Sequence, residues 1–301
     1  MNPERTARGK KAARVAALCL AGVLAVYLIL GLVGGGWSSR LDDTFAWDGD
    51  SVLLFAHRGL GRSVPENSLP AFAEAKQLGF KAVELDIRKT KDGELTVLHD
   101  RSAKRMLGLD VRFSEMSLPE IKQRRLLFQG RETTNCVPTL REVFEQHGKT
   151  LRFYLDMKEK GFRDADQIAG LIQEYGLYDR TVLASVDPLF VAYVEQRYPR
   201  INTALERFDG AQAWLYRLTP RRWKPDYLSG AANKADCEHD WLKKNNLLSK
   251  RIVYGAEGTN YQWMLAFGIR KAIVDYDPAL QAGALSDSAS GAPPETAGMQ
   301  R

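Results

Sequence analysis

Residues 55–100 hold two histidines, an arginine and an alternating pair of carboxylates, as His57-Arg58, Glu84-Leu85-Asp86 and His99-Asp100. Imidazole titrates near working pH, so one histidine can serve as general base and the other as general acid. A guanidinium binds phosphate oxygens through a planar fork of N–H donors. On a strand, residues two apart face the same side, which projects Glu84 and Asp86 together. Two adjacent carboxylates repel, and a hard divalent cation with oxygen ligands, Mg²⁺ or Ca²⁺, relieves that repulsion. Asp156 and Lys158 repeat the spacing, adding a third carboxylate and a cation for a phosphoryl oxygen. The inventory suits phosphodiester chemistry. Each part has a plainer reading: acidic i/i+2 pairs are common on half-exposed strands, and Lys158 starts the charge run Lys158-Glu159-Lys160. The other two histidines, His147 and His239, lie in helix-end or loop contexts and are assigned no role.

The elements that must position these groups alternate. Strands are expected at 52–56, 82–87, 151–157, 181–185, 201–205, 227–229, 251–254 and 271–275. Helical patterns separate them at 68–78, 138–147, 164–175, 188–197, 236–245 and 261–266. Thr90-Lys91-Asp92-Gly93 reads as a turn into 94–98, forming a hairpin. About eight β units alternating with helices over this length fit a (β/α)₈ TIM barrel in the α/β class. A doubly wound sheet fits less well, because no glycine-rich phosphate loop follows the first strand. Glu84, Asp86 and Asp156 then fall at the C-terminal ends of barrel strands.

The chain has 301 residues, with 43 Lys+Arg against 37 Asp+Glu. The small basic excess suits an anionic substrate or a membrane surface and does not point to nucleic acid. A basic segment at 1–14 precedes an uncharged apolar run at 15–33, which as a helix would be roughly 28 Å long, near the thickness of a bilayer core. That is longer than the roughly 7–15 apolar residues of a cleaved signal peptide. Residues 15–37 are therefore expected to form an uncleaved transmembrane anchor. This predicts a cytoplasmic N-terminus, a single pass through the inner (cell) membrane and an exported catalytic domain, periplasmic or extracellular. A linker at 38–50, a barrel at 51–282 and a disordered, Ser/Ala/Gly/Pro-rich tail at 283–301 complete the expected organisation. Cys19 lies in the apolar run, and pairing of Cys136 with Cys237 is left open.

Together these residues resemble the glycerophosphodiester phosphodiesterase family. The shared elements are His57-Arg58-Gly59, Glu66-Asn67-Ser68, Glu84-Leu85-Asp86, Thr90-Lys91-Asp92-Gly93 and His99-Asp100, in order. The likeness is close over 52–100 and looser to Pro138-Thr139-Leu140, Lys158 and 268–278. It implies a metal-dependent phosphodiesterase barrel with His57 and His99 as the acid/base pair. It implies one divalent cation on Glu84, Asp86 and Asp156, and substrate phosphate held by Arg58 and Lys158. It also implies attack of the glycerol 2-hydroxyl on phosphorus, with a cyclic phosphate then opened by water to glycerol phosphate. Two departures stand out. Asp156 replaces the family's usual glutamate, an Asp-x-Lys arrangement similar to the related spider-venom sphingomyelinase D enzymes. Tyr254-Gly255-Ala256-Glu257 replaces a Trp-Thr-Val-Asn-like segment, which opens a headgroup contact for Glu257. The expected partners are a glycerophosphodiester or lysophospholipid substrate and a lipid bilayer. Phospholipase D-type hydrolysis of lysophospholipids or phospholipids is one alternative, with Leu107, Leu109, Met116, Leu126, Leu127 and Phe128 as a lipid-facing surface. A non-catalytic membrane-anchored barrel is another.

Overall fold

A computed structural model of the chain describes residues 3–33, 45, 52–159, 161–209, 213–232 and 237–277. After helix α1 (Pro3–Val33) come β1 (Leu53–Ala56), α2 (Leu69–Gln77), β2 (Ala82–Lys89), β3 (Leu95–Val97), α3 (Lys104–Leu107) and α4 (Leu118–Lys122). Next are β4 (Leu127–Phe128), β5 (Arg131–Glu132), α5 (Leu140–His147), β6 (Arg152–Met157), α6 (Phe162–Glu174), β7 (Thr181–Ser185) and α7 (Pro188–Arg197). The chain continues through β8 (Asn202–Leu205), α8 (Ala213–Leu218), β9 (Tyr227–Ala231), α9 (Cys237–Lys244), β10 (Arg251–Tyr254), α10 (Gly258–Phe267) and β11 (Lys271–Val274).

Eight parallel strands, β1, β2, β6, β7, β8, β9, β10 and β11, pair in that order, and β1 also pairs with β11. The sheet therefore closes into the expected barrel. The expected hairpin is present too, as β3 runs antiparallel to the end of β2 with Ile87 opposite Val97. Strand alternation sorts the side chains. Val83, Leu85, Ile87, Phe153 and Leu155 point outward and are buried under the helices. Phe55, Ala82, Tyr154, Ala184, Ala204, Tyr227 and Ile252 fill the interior, large residues set against small ones.

Helix starts fix the loops that feed the site. The Ser68 Oγ accepts from the Ala71 N–H at 3.4 Å and opens α2. Thr139 and Glu142 form a reciprocal capping box on α5, with bonds of 3.1 and 2.8 Å. Such a cap contributes about 1 kcal/mol.

Three expectations need correction. The stretch 38–50 is not wholly a linker, because Phe45 is buried beneath the barrel. Its ring stacks 6.3 Å from Phe55 and meets Tyr227 edge-on at 6.1 Å, while its N–H donates to Asn202 Oδ1 at 3.1 Å. The rest of that stretch, and the expected tail at 283–301, lie outside the described residues. The apolar segment after His99 is not a free lipid-facing surface. Leu107, Met116 and Leu126 pack with Phe113 and Ile121 into a small separate core, with Leu109 partly buried against it. Leu127 and Phe128 are half-buried in the β4–β5 hairpin.

The transmembrane span is the third. Among the described residues, no helix is long and apolar enough to cross a membrane. The side chains described in the apolar run of α1 cover residues 15–29. Several of them, including Leu18, Leu20 and Val23, are exposed. Side chains at 30–37 lie outside the described set.

Candidate active site

The three acidic residues expected to cluster do so at the C-terminal mouth of the barrel. In β2 and β6 the register sets Glu84 beside Tyr154 and Asp86 beside Asp156. Both members of each pair point inward, so Asp86 and Asp156 are lateral neighbours and Glu84 lies one layer below. All three are buried, and each can offer one oxygen within 4.8 Å of the others. Three hard oxygen donors this close form a donor set that fits a divalent cation such as Mg²⁺ or Ca²⁺.

Electrostatics support that fit. Burial, then the charges of Asp86 and Asp156, push the Glu84 carboxyl well above the usual range. Burial also raises Asp86, but Lys158 and Arg58 outweigh it and hold that carboxyl below its ordinary value. Asp156 is raised, chiefly by burial, despite the adjacent Lys158. Lys158 Nζ bonds to Asp86 Oδ1 at 2.7 Å and to Asp156 Oδ2. Burial opposes the Lys158 charge, yet these two carboxylates raise its pKa. The group expected to hold phosphate is thus tied into the acidic cluster here. Arg58 is tied as well, with Nη1 3.0 Å from Glu66 Oε1 and Nε 3.2 Å from Asp86 Oδ2.

Both expected acid/base histidines face the same cavity, which has a volume of about 620 Å³ and is also lined by Arg58, Lys158 and the three carboxylates. His57 follows β1, and its Nδ1 lies 2.7 Å from Asp275 Oδ1. Its Nε2 is 3.9 Å from Glu84 Oε2. His99 Nδ1 lies 2.8 Å from Asp100 Oδ1. A carboxylate accepting at Nδ1 favours the tautomer that leaves Nε2 for substrate. The His57 to Gly59 turn is strained to serve this layout. Arg58 has φ of 51°, and its N–H donates to Glu84 Oε2 at 2.9 Å. Gly59 is required, because a Cβ there would meet Ala71 and Phe72 at 2.9 Å.

The structure gives physical roles to the remaining motif residues. Asn67, buried with φ of 55°, donates from Nδ2 to Asp86 Oδ2 at 2.8 Å and so orients that carboxylate. Glu66 bridges Arg58 and Arg105. Asp92 accepts the Leu118 N–H at 3.0 Å, tying the β2–β3 turn to the start of α4. Glu257 is exposed and does not line the cavity, whereas Tyr254 and Gly255 do. Cys136 is unpaired, and the Cys237 side chain lies outside the described residues. His147 is buried in α5 against Phe72, away from the cavity, while the His239 side chain lies outside the described set.

Two cavity carboxylates were not singled out by the sequence pattern. Glu206 accepts from Tyr154 Oη at 3.0 Å, and burial followed by the Asp156 charge pushes its carboxyl well up. Asp275 holds His57, and that hydrogen bond draws the Asp275 carboxyl below its usual value. Each lies two residues beyond an inward-facing strand residue, Ala204 or Ile273. The period that located Glu84 and Asp86 therefore extends to both.

Two expected outcomes follow from these partners. Asp275→Ala lowers kcat about tenfold to hundredfold with little change in KM, since His57 keeps its place but loses its fixed tautomer; steady-state kinetics at several pH values check this. Burial raises Asp100, but hydrogen bonds from Arg105 and then His99 outweigh it and bring the carboxyl down to about 2. A depressed carboxyl adds stability above its unfolded value, near 3.8, and that stability is lost as pH falls towards 2. Asp100→Asn therefore lowers unfolding free energy by about 1 kcal/mol at pH 6, allowing for solvent screening. Denaturation at pH 6 and in strong acid should show this deficit shrinking on acidification.

A closed (β/α)₈ barrel with two histidines and a carboxylate cluster at its C-terminal mouth has the architecture of a TIM barrel with its candidate site at the usual end. A sequence profile of the glycerophosphoryl diester phosphodiesterase family matches residues 57–293, and the chain belongs to that family. It is 31% identical over 162 residues to a glycerophosphodiester phosphodiesterase of Caldanaerobacter subterraneus subsp. tengcongensis, covering 51% of this chain and 66% of that protein. It is 28% identical to the bovine (Bos taurus) glycerophosphodiester phosphodiesterase 1, covering 52% of this chain and 49% of that protein. The chain thus spans less than two thirds of the length of these relatives. Among solved structures it superposes on an Oleispira antarctica phosphodiesterase in complex with the product sn-glycerol-3-phosphate, with a TM-score of 0.68 and 20% identity over 78% of this chain and 96% of that one. A Parabacteroides distasonis glycerophosphoryl diester phosphodiesterase gives a TM-score of 0.66 at 18% identity over 81% of this chain and 90% of that one. These structural likenesses carry the fold.

Proposed function

We propose that the protein hydrolyses glycerophosphodiesters to glycerol 3-phosphate and an alcohol, using His57 and His99 for proton transfer beside a divalent cation held by Glu84, Asp86 and Asp156. The observation that carries this reading is the shared cavity, where two carboxylate-oriented imidazoles face a buried trio of carboxylates. The names of the relatives and the product in the Oleispira structure support the substrate class.

One imidazole takes the proton of the glycerol 2-hydroxyl as its oxygen bonds to phosphorus. The other donates a proton to the alcohol oxygen as the phosphorus–oxygen bond to it breaks. Water then opens the cyclic phosphate with the roles reversed. When bound, Mg²⁺ or Ca²⁺ neutralises phosphoryl charge and acidifies a coordinated hydroxyl. Lys158 and Arg58, both at the edge of the carboxylate cluster, would offer their charges to the phosphoryl oxygens. Glu206 adds a carboxylate near Asp156, the position one methylene shorter than the family's glutamate.

The exposed apolar side chains of α1 and the basic residues before them support a place at the inner (cell) membrane. The test is full-length protein given glycerophosphocholine or lysophosphatidylcholine, with release of glycerol 3-phosphate and choline measured. Glycerol 3-phosphate from the first substrate supports the proposal. Choline release from the lysolipid alone would transfer the protein to phospholipase D-type chemistry, and inactivity on both would favour a non-catalytic barrel.

A further inference from the structure

The wall that carries His99 has two faces. One lines the reaction cavity, and the other lines a shallow groove beside it; Arg88, His99 and Arg101 belong to both. The groove adds Lys104 and Arg105, so four basic side chains meet one acidic one, Asp100.

Most of these charges are answered locally. Arg105 is taken by Asp100 and Glu66. Lys104 lies 3.2 Å from Asp110, and Arg88 Nη1 lies 3.6 Å from Glu159. Arg101 has no ion-pair or hydrogen-bond partner for its guanidinium among the described residues. It also sits close enough to Arg88 for the two positive charges to repel. Like charges held together in this way favour an anion between them.

The position of Arg101 is built into the fold. Its carbonyl accepts the Phe113 N–H at 2.9 Å, and Ser102 bridges to Arg112. Behind it, Ala103, Met106, Phe113 and Ile121 form the small core that is separate from those of the barrel. That insertion holds the basic wall at the edge of the cavity. A guanidinium there meets whichever part of the substrate extends past His99.

We propose that this groove is a subsite for the alcohol half of the diester, and that Arg101 selects alcohols carrying an anionic group of their own, a second phosphate or a carboxylate. The inference rests on the hydrolytic reading above and adds the charge class of the substrate. Arg101 is a specificity residue here and takes no part in bond breaking.

The test compares three diesters that share the glycerol phosphate half: glycerophosphoglycerol, glycerophosphocholine and glycerophosphoglycerol bearing a terminal phosphate. Wild-type protein should show its highest kcat/KM on the phosphate-bearing diester, with that preference shrinking as salt rises. Arg101→Gln should cut kcat/KM on that substrate about tenfold, mainly through KM, and leave the neutral diester unchanged. Arg101→Lys should recover part of the loss. Retained turnover of the neutral diester shows that the variant is folded. An equal loss on all three substrates, or a wild-type preference for the choline diester, would overturn the subsite. Inactivity of the wild type on all three would instead remove the hydrolytic reading, and this inference with it.

Discussion

Replacing His99 by alanine should lower kcat/KM on a glycerophosphodiester by about 10²- to 10⁴-fold while the protein stays folded. Positioned proton transfer is worth that much when a poor leaving group must be protonated. The His99 side chain is 38% exposed and its fixed contact is with Asp100, so its loss removes little packing. His57→Ala should give a loss of the same order. The double variant should fall well short of the product of the two losses, because groups acting on one transition state are not additive. His147 supplies the contrast: it is buried, stacks edge-on to Phe72 and bonds the Leu69 carbonyl at 3.3 Å. Its alanine variant should lose stability and keep its chemistry. A loss below tenfold at both His57 and His99 would remove them from catalysis.

Glu84→Gln should move activity and stability in opposite directions. The carboxylate is buried beside Asp86 and Asp156, and burial first, then those two charges, raise its pKa well above 4.5. A group raised in the folded state favours folding below its unfolded value and opposes it progressively as pH climbs through the folded one. In chelator, the glutamine variant should therefore gain about 1 kcal/mol near neutral pH, and this gain should vanish near pH 4. The amide oxygen can still accept the Arg58 N–H, so the turn is kept. Cation affinity should fall at least about a hundredfold, because one of three anionic donors is gone. Calorimetric unfolding in chelator and titration with Mg²⁺ or Ca²⁺ read the two effects separately. A destabilised variant with undiminished cation binding would contradict the assigned donor set.

The fold and much of this site could be read from the chain because both depend on strand alternation. Glu84 and Asp86 stand in a run whose odd and even positions separate cleanly, so their inward direction follows from Val83, Leu85 and Ile87 pointing out. Glu206 and Asp275 obey the same rule but stand immediately beyond the ends of their strands, where the apolar residues that mark the period run out. The ties of Lys158 depend on Asp86 standing beside Asp156 across two strands, a register no local pattern specifies. Phe45 lacks periodic neighbours and is explained only by the open end of the barrel beneath Phe55 and Tyr227. The apolar residues after His99 were legible as apolar, but whether they faced lipid or one another depended on the chain folding back through α3, α4 and the β4–β5 hairpin.

A divalent cation on Glu84, Asp86 and Asp156, beside the two carboxylate-oriented histidines, should make hydrolysis of a phosphodiester in this cavity depend on metal. Phosphorus NMR of full-length protein with glycerophosphoglycerol, run in chelator and then with excess Mg²⁺ or Ca²⁺, reads this dependence. The spectrum should stay unchanged in chelator, and on metal addition the diester resonance should decay as that of glycerol phosphate grows. Hydrolysis that proceeds undiminished in chelator, or a diester left intact with either metal, would rule out a catalytic cation on these carboxylates.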